Sequence, residues 1–236
     1  MRSLIKNSFL WSWLQPGFPD AARLIAQTPV LHETLEGRRF TGRCLNAGCG
    51  EGLYWDFLES FQEIDRIDDI DISAPGPEKV AGRRPDHYVA LGSLTELPYP
   101  DSSFESCLCT EVIEHIPDHA KAASELARVL KPGGLLLASV PQTPAPWDPN
   151  HARQGYTVEE FRGLLEGAGF EVVAHRSCFF GFMRAIMHYW RKPLIRVGGA
   201  KTPYIPNLML RGLVALDRAV RPGKPWDLVV CAIRKS

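Results

Sequence analysis

The stretch "RCLNAGCGEGLYWDFLESF", residues 43–61, decides the fold. An apolar run from Arg43 to Ala47 stops at Gly48-Cys49-Gly50-Glu51-Gly52, and apolar residues resume with helical spacing from Leu53 to Phe61. A buried strand, a glycine turn and a helix account for that order. Gly48 and Gly50 let the backbone turn tightly and approach a ligand, because no Cβ intervenes. The helix that follows offers free N–H groups to a carboxylate or phosphate. A dinucleotide fingerprint starting at Gly48 requires glycine at position 53, where Leu53 stands, which counts against a nicotinamide cofactor.

Strand and helix patterns alternate on from this point. Residues 1–40 are helical and irregular, broken at Pro16, Pro19 and Pro29 and ended by Gly37. "RIDDIDI" (66–72), "HYVALG" (87–92), "FESCLCTE" (104–111) and "LLLASVP" (135–141) read as strands. The last of these is an unbroken apolar run, as expected of a strand covered on both faces. A helix over 118–130 is stopped by Lys131-Pro132-Gly133-Gly134. Thr157 and Glu160 make a capping box that opens a helix with Phe161, Leu164, Leu165 and Ala168 inward, and Gly169 closes it. "FEVVAH" (170–175) and "WDLVVCAIR" (226–234) are the last two strands. Such alternation predicts an α/β fold with a mostly parallel sheet and helices on both faces. One domain over 1–236 is expected, with a helical cover (1–40), a ligand-binding core (41–176), a basic aromatic insertion (177–225) and a final strand (226–236).

Hydrophobic residues make up 45% of the 236 and charged residues 23%, a globular balance. Formal net charge is zero, so composition alone points to no partner. The six cysteines contain no CxxC pair, and four sit in strand-like runs, which predicts buried thiols in a reducing compartment. "LIKNSFLWSWLQ" precedes no recognisable cleavage site, and no apolar run reaches the ~20 residues of a membrane-spanning helix. A cytoplasmic protein is therefore expected. Charge is unevenly placed, however. Residues 177–225 hold nine basic residues (Arg184, Arg191, Lys192, Arg196, Lys201, Arg211, Arg218, Arg221, Lys224) against Asp217 alone, a net +8 that the rest of the chain balances. One reading is a helical insertion whose apolar face covers the sheet or a dimer partner. The other is a surface for an anionic acceptor or for the inner membrane face, through residues 179–201.

Taken together, "LNAGCGEG", "DIDIS", "LGSLTELPYPDSSFESCLCTEVIEHI" and "ELARVLKPGGLLLASVP" resemble the class I S-adenosylmethionine-dependent methyltransferases, in their methyltransferase 11-type branch, over residues 41–175 and the final strand. That resemblance implies a Rossmann-like seven-stranded sheet of order 3-2-1-4-5-7-6 with the last strand antiparallel. It implies S-adenosylmethionine as cofactor and S-adenosylhomocysteine as product. Cofactor contacts are expected at Asn46, Ala47, Gly48, Cys49, Gly50, Tyr54, Asp71, Ile72, Ser73, Gly92, Ser93, Leu94, Thr110, Glu111, Val112 and His115. Asp71 would hold the ribose hydroxyls, the N–H groups at Gly48–Gly50 the carboxylate, and Ser93 the adenine amino group. Glu51, Asp69, Asp71, Glu111 and Glu114 would make the pocket acidic, which favours a cationic cofactor.

Methyl transfer from a sulfonium needs the acceptor held in line, and a hydroxyl or protonated amine must also lose a proton. His151, His115 and Tyr156 are the candidate catalytic groups, with Arg153 as an anion anchor and Trp147 in the acceptor wall. No metal is expected. The acceptor expected is a small molecule, glycan or lipid-linked compound, methylated on O or N or on C, by a monomer or homodimer. Two other readings stay open: an RNA-directed methyltransferase, and a non-catalytic cofactor-binding protein on the same fold. "TEVIEH" replaces the (D/N)PPY sequence of amino-directed base methyltransferases, which puts nucleic acid second.

Overall fold

The computed structural model describes residues 19–73, 86–190, 196–197, 200–201 and 207–236. The expectations for residues 1–18 and for Arg191 and Lys192 lie outside them. The described residues fall into two compact units, one within 30–177 and 227–236 and one within 19–29 and 178–226.

The larger unit carries one seven-stranded sheet: β1 (Gly42–Ala47), β2 (Ile64–Asp71), β3 (Tyr88–Leu91), β4 (Phe104–Thr110), β5 (Leu130–Pro141), β6 (Phe170–Cys178) and β7 (Asp227–Arg234). Their order is β3-β2-β1-β4-β5-β7-β6, as the resemblance implied. β1, β2, β3, β4 and β5 pair in parallel, whereas β7 lies antiparallel to β5, from Leu135 opposite Ile233 to Pro141 opposite Asp227. Strand order reverses between β1 and β4, and both strands end at the same edge. That edge is where open sheets of this kind receive ligands.

Helix α1 (Pro19–Thr34) precedes the first strand in the chain, and α2 (Trp55–Leu58), α3 (His119–Val129) and α4 (Val158–Gly167) lie between later strands. Pro19 opens α1 and does not break it, because a first-turn residue has no N–H bond to lose. Pro29 lies inside the same helix, and Gly37, with φ +84°, follows its end. The helix expected over 53–61 shrinks to four residues. Tight turns, Gly52 N–H to the Cys49 carbonyl and Phe61 N–H to the Leu58 carbonyl, take up its ends. β5 begins five residues earlier than expected. Leu130 already pairs with Phe104, and the Lys131–Gly134 turn bulges out before Leu135 pairs with Ser106. The capping box on α4 is complete: Glu160 N–H donates to Thr157 Oγ1 (3.1 Å) and Thr157 N–H to Glu160 Oε2 (2.8 Å). All six cysteines are buried thiols. Burial pushes Cys44 up to about 12 and Cys231 to about 11, and raises Cys49, Cys107 and Cys109 further. No helix among the described residues is long and apolar enough to cross a membrane.

In the smaller unit α5 (Gly181–Trp190) packs on α6 (Asn207–Val220). Asp217 is 1% exposed and caps the start of α5, accepting from the N–H groups of Phe180 (2.7 Å), Phe182 (2.8 Å) and Met183 (3.1 Å). The only carboxylate of residues 177–225 is thus taken out of the surface charge balance. Arg184 is committed too. It donates to the Lys224 carbonyl (2.8 Å) and its guanidinium stacks 4.8 Å from the Trp226 ring centre. Leu208, Met209, Leu216 and Val220 leave an apolar side of α6 exposed.

Buried Glu125 on α3 gathers the chain around it. It accepts from Leu97 N–H (2.9 Å) and from Arg128 (2.8 Å), which also holds Asp101 (2.7 Å). The Arg128 guanidinium outweighs burial and holds the carboxyl down at about 2. A depressed folded-state value adds stability above the ordinary glutamate range, and that stability is lost as pH falls toward 2. Acid melting followed by circular dichroism should show this loss between pH ~4.5 and ~2. Glu125→Gln should be less stable at neutral pH and should lose less on acidification; equal acid slopes for the two proteins would refute the assignment.

Candidate functional site

The glycine turn after β1 has a different demand at each of its glycines. A Cβ on Gly48 (φ +73°) would lie 2.3 Å from Val112 Cγ2, so this turn rests directly on the turn after β4. On Gly52 (φ +81°) it would lie 2.1 Å from the Trp55 indole. On Gly50 (φ +50°) it would meet nothing within 4 Å, so the middle of the turn faces open space. The N–H groups expected to hold a carboxylate are committed to β2. Gly48 and Cys49 donate to the Ile70 carbonyl (2.8 and 3.0 Å), and Gly50 donates to Asp71 Oδ2 (2.9 Å).

Asp71 ends β2 at this edge. Its Oδ1 accepts from Ser73 N–H and Oγ (both 2.9 Å), which leaves one lone pair on Oδ2 beside Gly50. Ile72 next to it is 74% exposed. Gly92 donates its N–H to the Asp71 carbonyl (2.9 Å). Ser93, expected at the adenine amino group, turns its hydroxyl to Thr95 (2.8 Å), and Leu94 is buried in the core.

Beneath the turn, Asp69 is wholly buried and is not the pocket carboxylate expected. Its Oδ1 accepts from Asn46 Nδ2 (2.6 Å) and Trp55 Nε1 (3.2 Å), and its Oδ2 lies 2.6 Å from His87 Nδ1. Asn46 and Asp69 are register partners on parallel strands, which is why Asn46 faces this network and not a ligand. Burial works to lower the His87 imidazole, but the hydrogen bond and charge of Asp69, with Asp86 and Glu59, hold it above its ordinary value.

Just beyond β4 stands Glu111, a non-glycine residue at φ +56°, whose N–H and Oε1 both engage Ser139 of β5 (2.9 and 2.7 Å). A single 3₁₀ turn, Ile113–His115, follows. Glu114 is 1% exposed, while His115 is exposed. His115 Nδ1 lies 3.0 Å from the Asn150 carbonyl, and Arg153 N–H donates to the Glu114 carbonyl (3.0 Å). These bonds dock the loop after β5 on the turn after β4. The loop is tied within itself: Asp148 accepts from Asn150 (3.0 Å) and Gln154 grips the Asp148 backbone (2.8 and 2.9 Å). His151 therefore stands against His115, rings perpendicular with centres 4.6 Å apart. One carboxylate oxygen of Glu114 and one ring nitrogen from each histidine lie within 4.8 Å of one another. Sequence reasoning named both histidines separately and missed the trio. Its signal was the Glu-His pair after one strand facing a histidine after the neighbouring strand.

Tyr156 and Arg153 have other duties. Tyr156 prolongs the β5 edge through Pro141 and Thr143, packs on Phe161 (5.3 Å) and buries a hydroxyl that has no hydrogen-bond partner among the described residues. Burial pushes its phenol up to about 12. Arg153 pairs with Glu160 (2.5 Å) and the Gly155 carbonyl (3.1 Å), so it is no free anion anchor. Trp147 is 70% exposed.

Residues 45–138 match the methyltransferase domain family. The chain is 34% identical over 173 residues to a protein of Mycolicibacterium smegmatis named "Probable S-adenosylmethionine-dependent methyltransferase", covering 70% of this chain and 66% of that one. A protein of Mycobacterium tuberculosis with the same description is 33% identical over 159 residues, 64% of this chain and 57% of that one. The match thus spans two thirds or less of the length of these relatives. Among solved structures, the methyltransferase complexed with the Haloferax volcanii Trm112 activator superposes with a TM-score of 0.64 at 17% identity, covering 91% of this chain and 90% of that one.

The glycines can be told apart by stability. Gly52→Ala drives a methyl group into buried Trp55 at a left-handed φ, and should cost ~2 kcal/mol or more. Gly50→Ala has only the backbone penalty, ~1–2 kcal/mol. Urea unfolding midpoints should fall in that order; the reverse order would refute the packing described.

Proposed function

We propose that this chain, which belongs to the class I S-adenosylmethionine-dependent methyltransferases, binds S-adenosylmethionine at the glycine-turn edge of the sheet and methylates an oxygen or nitrogen of a small-molecule, glycan or lipid-linked acceptor. The observation that carries this is the Gly50–Asp71 bond, which sets a carboxylate with a remaining lone pair beside a turn that a side chain at residue 50 would fill. A ribose diol suits that carboxylate, and the Ser73 and Gly50 donors already fix its plane. When bound, the cofactor supplies an activated methyl group whose bonding pair leaves with sulfur.

The protein's part is to hold the acceptor in line and to let its proton go. Glu114, His115 and His151 gather beyond Val112, the residue on which the glycine turn rests, and this supports an acceptor side there. The acceptor loses its proton at that trio. Tyr156, raised to about 12, stays protonated and serves only as a donor or as packing. The +8 segment, its one carboxylate buried under α5, supports an anionic acceptor in the cytoplasm or at the inner membrane face.

Two variants test this reading. Asp71→Ala should weaken binding of S-adenosylhomocysteine by ~1.5–3 kcal/mol, the range for lost hydrogen bonds to a charged group, and calorimetry at unchanged affinity would remove Asp71 from the ribose site. His151→Ala should cut turnover by ~10²–10⁴ while leaving cofactor affinity intact. Turnover assayed with labelled donor and fractionated extract identifies the acceptor; labelled RNA in place of a glycan, lipid or small molecule would replace the acceptor class proposed.

A further inference from the structure

We infer that Glu114, His115 and His151 form a binding site for a divalent transition-metal ion. Three features of the trio point to this. First, the ligand atoms converge: a carboxylate oxygen and two imidazole nitrogens from neighbouring strand ends lie within 4.8 Å of one another. Bonds of ~2.0–2.2 Å place ligand atoms ~3.4 Å apart around a tetrahedral ion, so the widest pair would close by up to ~1.4 Å on binding.

Second, the tautomer of His115 is decided. Its Nδ1 faces the Asn150 carbonyl at 3.0 Å, and a carbonyl can only accept, so Nδ1 carries the proton. In the neutral ring Nε2 therefore presents a lone pair, 3.8 Å from Glu114 Oε1. Two acceptors at that separation suit a cation between them. A backbone carbonyl behind a ligating histidine is also the usual outer partner that orients the ring and raises its basicity.

Third, the donor set selects the ion. One carboxylate with two imidazoles suits zinc, cobalt, manganese or iron, whereas magnesium and calcium prefer oxygen ligands throughout. Glu114 is buried and fixes the floor of the site, His115 is exposed and leaves an entry path, and the tied loop 148–154 holds His151 in place.

Three protein ligands leave a coordination position open. The role of the ion rests on the acceptor side proposed above, although its binding does not. Bound there, an acceptor hydroxyl would be polarised and would release its proton to water. Its oxygen pair then forms the bond to the methyl carbon while the carbon–sulfur pair stays on sulfur, giving the methyl ether and the neutral thioether. His151 would act as a ligand in that case and not as the proton acceptor.

The test is titration of the full chain with Co²⁺, read by visible absorption, and with Zn²⁺, read by calorimetry. One equivalent should bind, with the weak visible bands of nitrogen and oxygen ligation, and Mg²⁺ should not compete. His115→Ala and His151→Ala should each weaken binding by more than ~10–100-fold, the loss typical of an outer partner alone. His115 is exposed, so its variant keeps the fold even if Glu114→Gln does not. Absence of saturable binding, binding unchanged in both histidine variants, or an intense sulfur-to-cobalt band from the cysteines would each overturn the inference. Loss of turnover in His151→Ala without metal binding would leave the methyl-transfer reading intact with His151 as the base. Metal binding in a chain that transfers no methyl group would leave the site and remove the function.

Discussion

A carboxylate sealed from water holds together the sheet edge beyond β1 and β2. Asp69 takes one donor from β1, one from α2 and one from the residue that leads into β3. Left alone at that depth the charge would cost several kcal/mol, so the three donors must arrive together. Gly52 is part of the same constraint. The indole that reaches Asp69 lies where a Cβ on residue 52 would be. The shape of the glycine turn is thus set from below, by packing and a buried charge, before any ligand is considered. Gly50, which nothing in the protein crowds, is the glycine whose lack of a side chain serves the open space in front of it.

On the other side of Gly48 the turn after β4 has its own anchor. Glu111 sits at a left-handed φ that a non-glycine residue adopts at a cost of ~1–3 kcal/mol, and its carboxylate and N–H are both taken by Ser139. That attachment to β5 directs the following 3₁₀ turn toward the loop after β5, and so brings His115 to His151. The consecutive parallel strands β4 and β5 deliver the trio from the segments that follow their carboxyl ends, next to the β1/β4 point where strand order reverses.

Much of this was legible in the sequence. Unbroken apolar runs located the strands, the Thr157/Glu160 capping box located α4, and Gly48-x-Gly50-x-Gly52 located the tight turn after β1. What could not be read was the direction each polar side chain takes. Asn46 and Asp69 look alike in sequence to pocket residues, yet strand register turns both inward onto each other. The N–H groups of Gly48 to Gly50 look free until β2 is placed beside them. Arg153 and Arg184 look available to an anion, but each has a local partner, Glu160 for one and Trp226 with the Lys224 carbonyl for the other. Long-range pairing decides such cases, and periodicity carries no record of it.

The six thiols have a consequence for how the molecule can be interrogated. Each is buried, and for five of them burial holds the sulfur protonated far above neutral pH. Thiolate is the reactive form, so an alkylating reagent finds almost nothing to modify while the chain is folded. Cysteines in β1, β4, β6 and β7, with Cys49 in the glycine turn, therefore act as timers distributed across the sheet, and the order in which they take up label records which strands open first.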